Sequence, residues 1–131
     1  MCVKSLEGDN DKLQLQSPRI GIGIDIVEIK RFKQRRVQTN LSFYNSVFTE
    51  SELKHFLKYT DPYPHLAGIF AAKEATMKCL DTSISLTDIE ITHDMRGKPS
   101  AVTMLKKKAV KVKVSISHTA STAIAVAILT P

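Results

Sequence analysis

One helical pattern, HLAGIFAAKEATMKCL from His65 to Leu80, constrains this chain more than any other stretch. Leu66, Phe70, Met77 and Leu80 recur at spacings of four, seven and three, the stripe of an amphipathic helix, while Ala67, Ala71, Ala72 and Ala75 favour helix without bulk. Pro64, just ahead, is a start signal. At about 100° per residue Glu74 falls between Phe70 and Met77, so a carboxylate is predicted to point toward the packed side of the helix. Two readings of it stand. Lys78, four residues on, is placed to pair with Glu74 as an ordinary helix-surface couple worth a few tenths of a kcal/mol. Alternatively, Glu74 holds a cation and Lys78 a negative oxygen of the same ligand.

A second pattern precedes it. In RIGIGIDIVEIKRF, Ile20, Ile22, Ile24 and Ile26 alternate in strict period two, which predicts a strand whose other face carries Gly21, Gly23 and Asp25. That face is nearly bare, leaving room for a ligand to approach the backbone beside an acid, or else it is an edge strand whose Asp25 is solvated and starts a turn. From Val27 the period shifts toward helix, and Lys30, Arg31, Lys33, Arg35 and Arg36 crowd together as either a solvated helix face or a docking patch. Thr49 and Glu52 in FTESELKHF have capping-box spacing, with Phe48 and Leu53 as the accompanying apolar pair, and predict a short helix to about Tyr59. DPYP then breaks the chain.

Beyond the central helix, Ser85–His93 reads as a cap followed by a strand, and Asp94–Pro99 as a turn with Gly97 where freedom in φ is needed and Arg96 and Lys98 available to a phosphate. Val110–Ile116 alternates with lysine and serine, and Ala123–Leu129 is a continuous apolar run of buried-strand type; Lys106–Lys108 reads as solvated surface. Ser117 and His118 are adjacent, so a strand points them to opposite faces, which disfavours a nucleophilic pair. The order of strand, three helices, strand and two further strands predicts an α+β fold with helices on a small, mainly antiparallel sheet. Length supports a single domain over residues 19–131, with residues 1–18 as a flexible N-terminal extension. The 131 residues are 43% hydrophobic and 24% charged, without an apolar run of membrane-span length. Two cysteines give no disulfide framework and fit a reducing compartment. A net charge of +6 points to an acidic partner. No aromatic-interleaved basic motif marks nucleic acid as that partner.

The segments GIGIDIVEIKRF, FTESEL, LAGIFAAKEATMK, DIEITHDMRGKP and VSISHT, in that order, together resemble the holo-[acyl-carrier-protein] synthase family, the small single-domain class of 4′-phosphopantetheinyl transferases. The resemblance covers about Ile20 to Leu129. It implies the 4′-phosphopantetheinyl transferase fold, a homotrimer with active sites between subunits, and a cytoplasmic enzyme of fatty acid biosynthesis. The implied reaction is Mg²⁺-dependent transfer of phosphopantetheine from coenzyme A to a serine of an acyl carrier protein. By the same resemblance Asp25 and Glu74 are the metal ligands and Lys78 lies near the transferred phosphate. Gly97, Lys98, Pro99, Ser117, His118 and Thr119 belong to the coenzyme A surface, and Arg31, with Arg35 and Arg36, meets the acidic carrier protein. Ile69 stands where the family pattern has arginine, so one phosphate contact is either missing or supplied by Lys73 or Lys98. Asp81, Thr82 and Ser83 replace its glycine-rich segment, and the stretch from Pro99 to Val114 is short for its usual helix. A catalytically degenerate member that binds carrier protein or coenzyme A without transfer is the alternative.

Overall fold

The computed structural model describes residues 20–131, and the expected extension over residues 1–18 lies outside them. The order is β1 (Gly21–Glu28), α1 (Lys30–Lys33), a 3-10 turn (Val37–Thr39), α2 (Leu41–Val47), α3 (Glu50–Phe56), α4 (Tyr63–Leu80), a second 3-10 turn (Leu86–Asp88), β2 (Glu90–His93), β3 (Pro99–Leu105), β4 (Lys108–His118) and β5 (Thr122–Leu129). The five strands form one antiparallel sheet in the order β1-β5-β4-β3-β2. The α+β expectation holds, with one strand more than the sequence showed. In β3 the inward positions are Ala101 and Thr103, both buried, and a threonine on the core side hides the alternation. Its hydroxyl donates to Asp88 O at 2.8 Å. The stretch that looked too short for a helix is therefore a β3–β4 hairpin. Lys106 (φ 49°) and Lys107 (φ 64°) form its turn.

Helix α4 lies across the sheet, and its closest neighbour is β1. The face of β1 that carries the glycines is not open, as the bare-face reading expected, but covered by this helix. A Cβ on Gly23 would stand 1.9 Å from Ala75 O and 2.8 Å from Cys79 N, so only glycine admits such close approach. The isoleucines consequently face away from the helix: Ile22 is 69% exposed and Ile24 57%. Next to them Ile124 and Ile128 of β5 are each 38% exposed, so β5 is buried on one face rather than two.

The same close approach decides which side of α4 is packed. The buried residues are Leu66, Ile69, Ala72, Lys73, Thr76 and Cys79 together with Ala67, Gly68, Ala71 and Ala75. Phe70, Met77 and Leu80, the expected stripe, only flank the core. Small side chains let the helix axis settle near a glycine strand, and that proximity outweighs the bulk of the larger residues. Asp81 ends the helix in the left-handed conformation (φ 51°), a place where glycine is usual.

Two local readings match closely. Thr49 Oγ1 accepts from Glu52 N and Glu52 Oε1 from Thr49 N, the reciprocal capping box at the start of α3, which ends at Phe56, short of Tyr59. Gly97 has φ 82° with nothing within 4 Å of a hypothetical Cβ, so backbone conformation rather than crowding calls for glycine.

Candidate functional site

Asp25 reaches the functional site because β1 is pressed against the second half of α4. Its carboxylate is 19% exposed, and Lys78 Nζ lies 3.3 Å from its Oδ1 and 2.9 Å from Ile24 O. Lys78 thus bridges helix to strand, and of the two readings of Glu74 and Lys78 the helix-surface couple is not what Lys78 makes. Glu74 is half-buried one turn away. Burial and the neighbouring Asp25 push its carboxyl above the ordinary range, against the opposing pull of Lys78 and Arg31. Two carboxylates and two cations therefore share one partly desolvated spot. Arg31, from α1, was assigned by sequence only to partner docking. Its guanidinium also lies 5.9 Å over the Phe70 ring, which ties α1 to the flank of α4.

Lys73 has a different place from the one expected. Its side chain is wholly buried, 2.5 Å from Glu52 Oε1, and its ammonium donates to Val47 O at 2.8 Å and Leu86 O at 3.1 Å. Three acceptors satisfy its three protons, so no phosphate contact is open to it. Burial lowers its proton affinity and the hydrogen-bonded Glu52 carboxylate raises it. Glu52 Oε2 also accepts from Ile91 N at 2.7 Å, so this buried pair joins α2, α3, α4 and β2. Ile69, in the arginine position of the pattern, is 2% exposed and part of the core.

Gly97, Pro99 and His118 come together elsewhere. They line a cavity of about 170 Å³ at the start of α4, with His65, Ile69, His93 and Ile116. Ser117 projects from the opposite face of β4, as adjacency predicted. Thr119 builds the β4–β5 turn: its Oγ1 accepts from Thr122 N and Ser121 N, and its N–H donates to Thr122 O. Lys98 anchors the β2–β3 turn through its backbone N–H to Asp94 Oδ1 at 2.9 Å, leaving its side chain exposed. Sequence reasoning missed His65 and His93, whose only signal was the clustering of histidines at element ends. Arg31 and Arg35 flank a shallow pocket with Phe32, Phe43 and Phe70, Arg35 standing 4.6 Å over the Phe43 ring. Arg36 is exposed just beyond.

Within one chain the sets stay apart. His65 and Lys78 are separated by roughly 20 Å along α4 at 1.5 Å per residue, and β1 and β2 are opposite edges of the sheet.

The model of the 4′-phosphopantetheinyl transferase superfamily matches residues 21–128, nearly all of the described chain. This chain belongs to that superfamily. Among relatives, the holo-[acyl-carrier-protein] synthase of Caldanaerobacter subterraneus is 42% identical over 119 residues, 83% of this chain and 93% of that protein. The one from Clostridium tetani is 43% identical over 120 residues, 84% of this chain and 94% of that protein. Among solved structures, a Bacillus anthracis holo-(acyl-carrier-protein) synthase in complex with coenzyme A (3′,5′-ADP) superposes with a TM-score of 0.73 at 33% identity, covering 87% of this chain and 98% of that one. The Helicobacter pylori enzyme in complex with coenzyme A gives 0.70 at 32% identity, with 81% and 96% covered. For a phosphopantetheinyl transferase, Asp25, Glu74 and Lys78 are the motif positions that the β1–α4 contact brings together.

Proposed function

We propose that this phosphopantetheinyl transferase moves 4′-phosphopantetheine from coenzyme A to a serine of apo acyl carrier protein, releasing adenosine 3′,5′-bisphosphate. The carrying observation is the convergence of Asp25, Glu74 and Lys78 where β1 meets α4. The carrier serine is the nucleophile, which accords with a chain whose Ser117 and His118 diverge.

The donor set fits Mg²⁺. Asp25 and Glu74 are hard oxygen ligands whose mutual repulsion a cation relieves. Among the described residues no group of three or more His, Cys, Asp or Glu could hold a metal, so phosphate and water would supply the other ligands, the pattern Mg²⁺ prefers. When bound, Mg²⁺ neutralises charge on pyrophosphate oxygens. Lys78 places its ammonium beside the same oxygens and, held by Ile24 O, acts from a fixed position. Arg31, Arg35 and Arg36 receive the acidic carrier protein, with Arg31 close enough to Glu74 to bring the docked serine toward the acids.

The separation of Lys78 from the His118 cavity supports a homotrimer in which one subunit's acids meet another's nucleotide cavity. The exposed isoleucines of β1 supply the apolar face for it. Residues 19–131 would be the catalytic domain, acting in the cytoplasm in fatty acid biosynthesis. No described helix is long and apolar enough to cross a membrane.

Mass spectrometry of apo carrier protein with this protein, coenzyme A and Mg²⁺ tests the reading. A phosphopantetheine-sized gain that chelator abolishes is expected. No gain with several carriers and a folded protein would leave a binder without transfer.

A further inference from the structure

The chain's four histidines, distant in sequence, converge around Phe56 and Tyr59. His65 stacks on Tyr59 at 4.0 Å and lies 6.3 Å from His118, while His93 stacks on His55 at 5.7 Å. His65, His93 and His118 all open onto the cavity at the start of α4, where the other walls include Ile69, Ile116 and Phe56. Among the described residues these imidazoles are the ionisable side chains of that wall, and no lysine or arginine side chain lines it. His118 Nδ1 lies 3.1 Å from Thr119 O, a carbonyl that only accepts, so Nδ1 carries the hydrogen of the neutral ring.

We propose that His65 takes up a proton as the phosphorylated nucleoside end of coenzyme A enters this cavity, so that affinity for the nucleotide falls as pH rises. This rests on the transferase reading. The physical reason is that the described residues of one subunit give this wall no fixed side-chain cation, so an anion entering it favours the charged form of the imidazole beside it. His65 and His118 line the same cavity with ring centroids 6.3 Å apart, so negative charge held there lies close to His65 and favours its charged form.

The surroundings set the sign. Burial, then His118 and His55, hold His65 below its ordinary value, while Asp61 opposes them; Asp61 is itself 3.7 Å from Lys33. His93 is lowered by burial and His55, against Asp94 and Glu52. Lys98, on the turn beside Gly97, adds positive charge outside the cavity wall. Free His65 is therefore mainly neutral at pH 7, and the bound anion raises its proton affinity. Binding is strongest below the free-state pKa, weakens through the interval up to the bound-state pKa, and is constant above it.

The test is an NMR titration of imidazole-labelled full-length protein from about pH 5 to pH 8.5, with and without adenosine 3′,5′-bisphosphate. Reading the imidazoles directly separates them from the nucleotide's own phosphate, whose second proton leaves near about pH 6. The His65 midpoint should rise by about one unit or more on binding, and the dissociation constant should grow up to about tenfold per pH unit inside the window. His65→Gln should flatten that slope and raise the KM for coenzyme A at low pH toward the wild-type value at high pH. If the variant does not fold, the wild-type His65 midpoint decides alone. An unmoved His65 midpoint, or flat affinity, in a protein that still transfers phosphopantetheine would overturn this proposal alone. Failure to bind nucleotide together with failure to transfer would overturn both it and the transferase reading.

Discussion

Glu74 and Asp25 set the residue-scale expectations. On the proposed metal-site assignment, replacing either by Ala should reduce transfer by at least about 100-fold, since each would remove a charge that organises the reacting phosphates. Circular dichroism and thermal melts should show the fold intact; near-normal turnover in both variants would refute their assignment. Glu74 also predicts a pH effect on stability. Its proton affinity is raised in the folded state, so ionising it costs more there than in the unfolded chain. Stability from this residue is greatest below the unfolded value of 4.5, falls as pH climbs to the folded value, and stays lower above it. Glu74→Gln should thus raise Tm at pH 7 and lose that gain below pH 4.5, and Mg²⁺ should raise the Tm of the wild type more than that of the variant. A wild-type Tm indifferent to Mg²⁺ would count against the metal assignment. Both acids stood out in the sequence against local patterns that the structure reads differently: the glycine face of β1 is covered by α4, and the Phe70–Met77 stripe around Glu74 only flanks the core. Lys73 was not legible: a lysine beside the glutamate proposed to hold the metal looks like a phosphate ligand until its three carbonyl and carboxylate partners are seen, and those come from distant segments.

Between elements, the fit of α4 to β1 and the Glu52–Lys73 pair carry most of the specificity. Gly23→Ala should destabilise by about 3 kcal/mol or more, because its Cβ would meet the backbone of Ala75 rather than a side chain able to move. Urea denaturation measures this, and an unchanged midpoint would disprove the close contact. Lys73→Met should cost about 3–5 kcal/mol by leaving the Glu52 charge buried without its counter-ion. The alternation of β1 and the cap of α3 were readable from a few residues each, since period and capping are local. The direction in which the β1 isoleucines face was not, for period two says that two faces differ without saying which one a helix covers. The third strand escaped for a related reason: Thr103 pays for its burial with a hydrogen bond to Asp88 O, which hydropathy cannot register.

The molecule as a whole presents an uncovered apolar face and a basic end. On the proposed homotrimer, Ile24→Asp should give a monomer in light scattering, with native circular dichroism and transfer reduced by at least about tenfold, since separated half-sites would not share a substrate. A variant that stays trimeric would place the contact elsewhere. Carrier-protein affinity should weaken from low to high salt through screening of Arg31, Arg35 and Arg36; no change would argue against electrostatic docking. One further consequence follows from Glu52. By accepting the Ile91 N–H it caps a donor on the outer edge of β2, whereas among the described residues β1 pairs only with β5. Filament growth by strand addition needs two receptive edges on every molecule, and here one is blocked. Chains that associate wrongly through β1 are therefore expected to stop as closed pairs instead of propagating into fibrils.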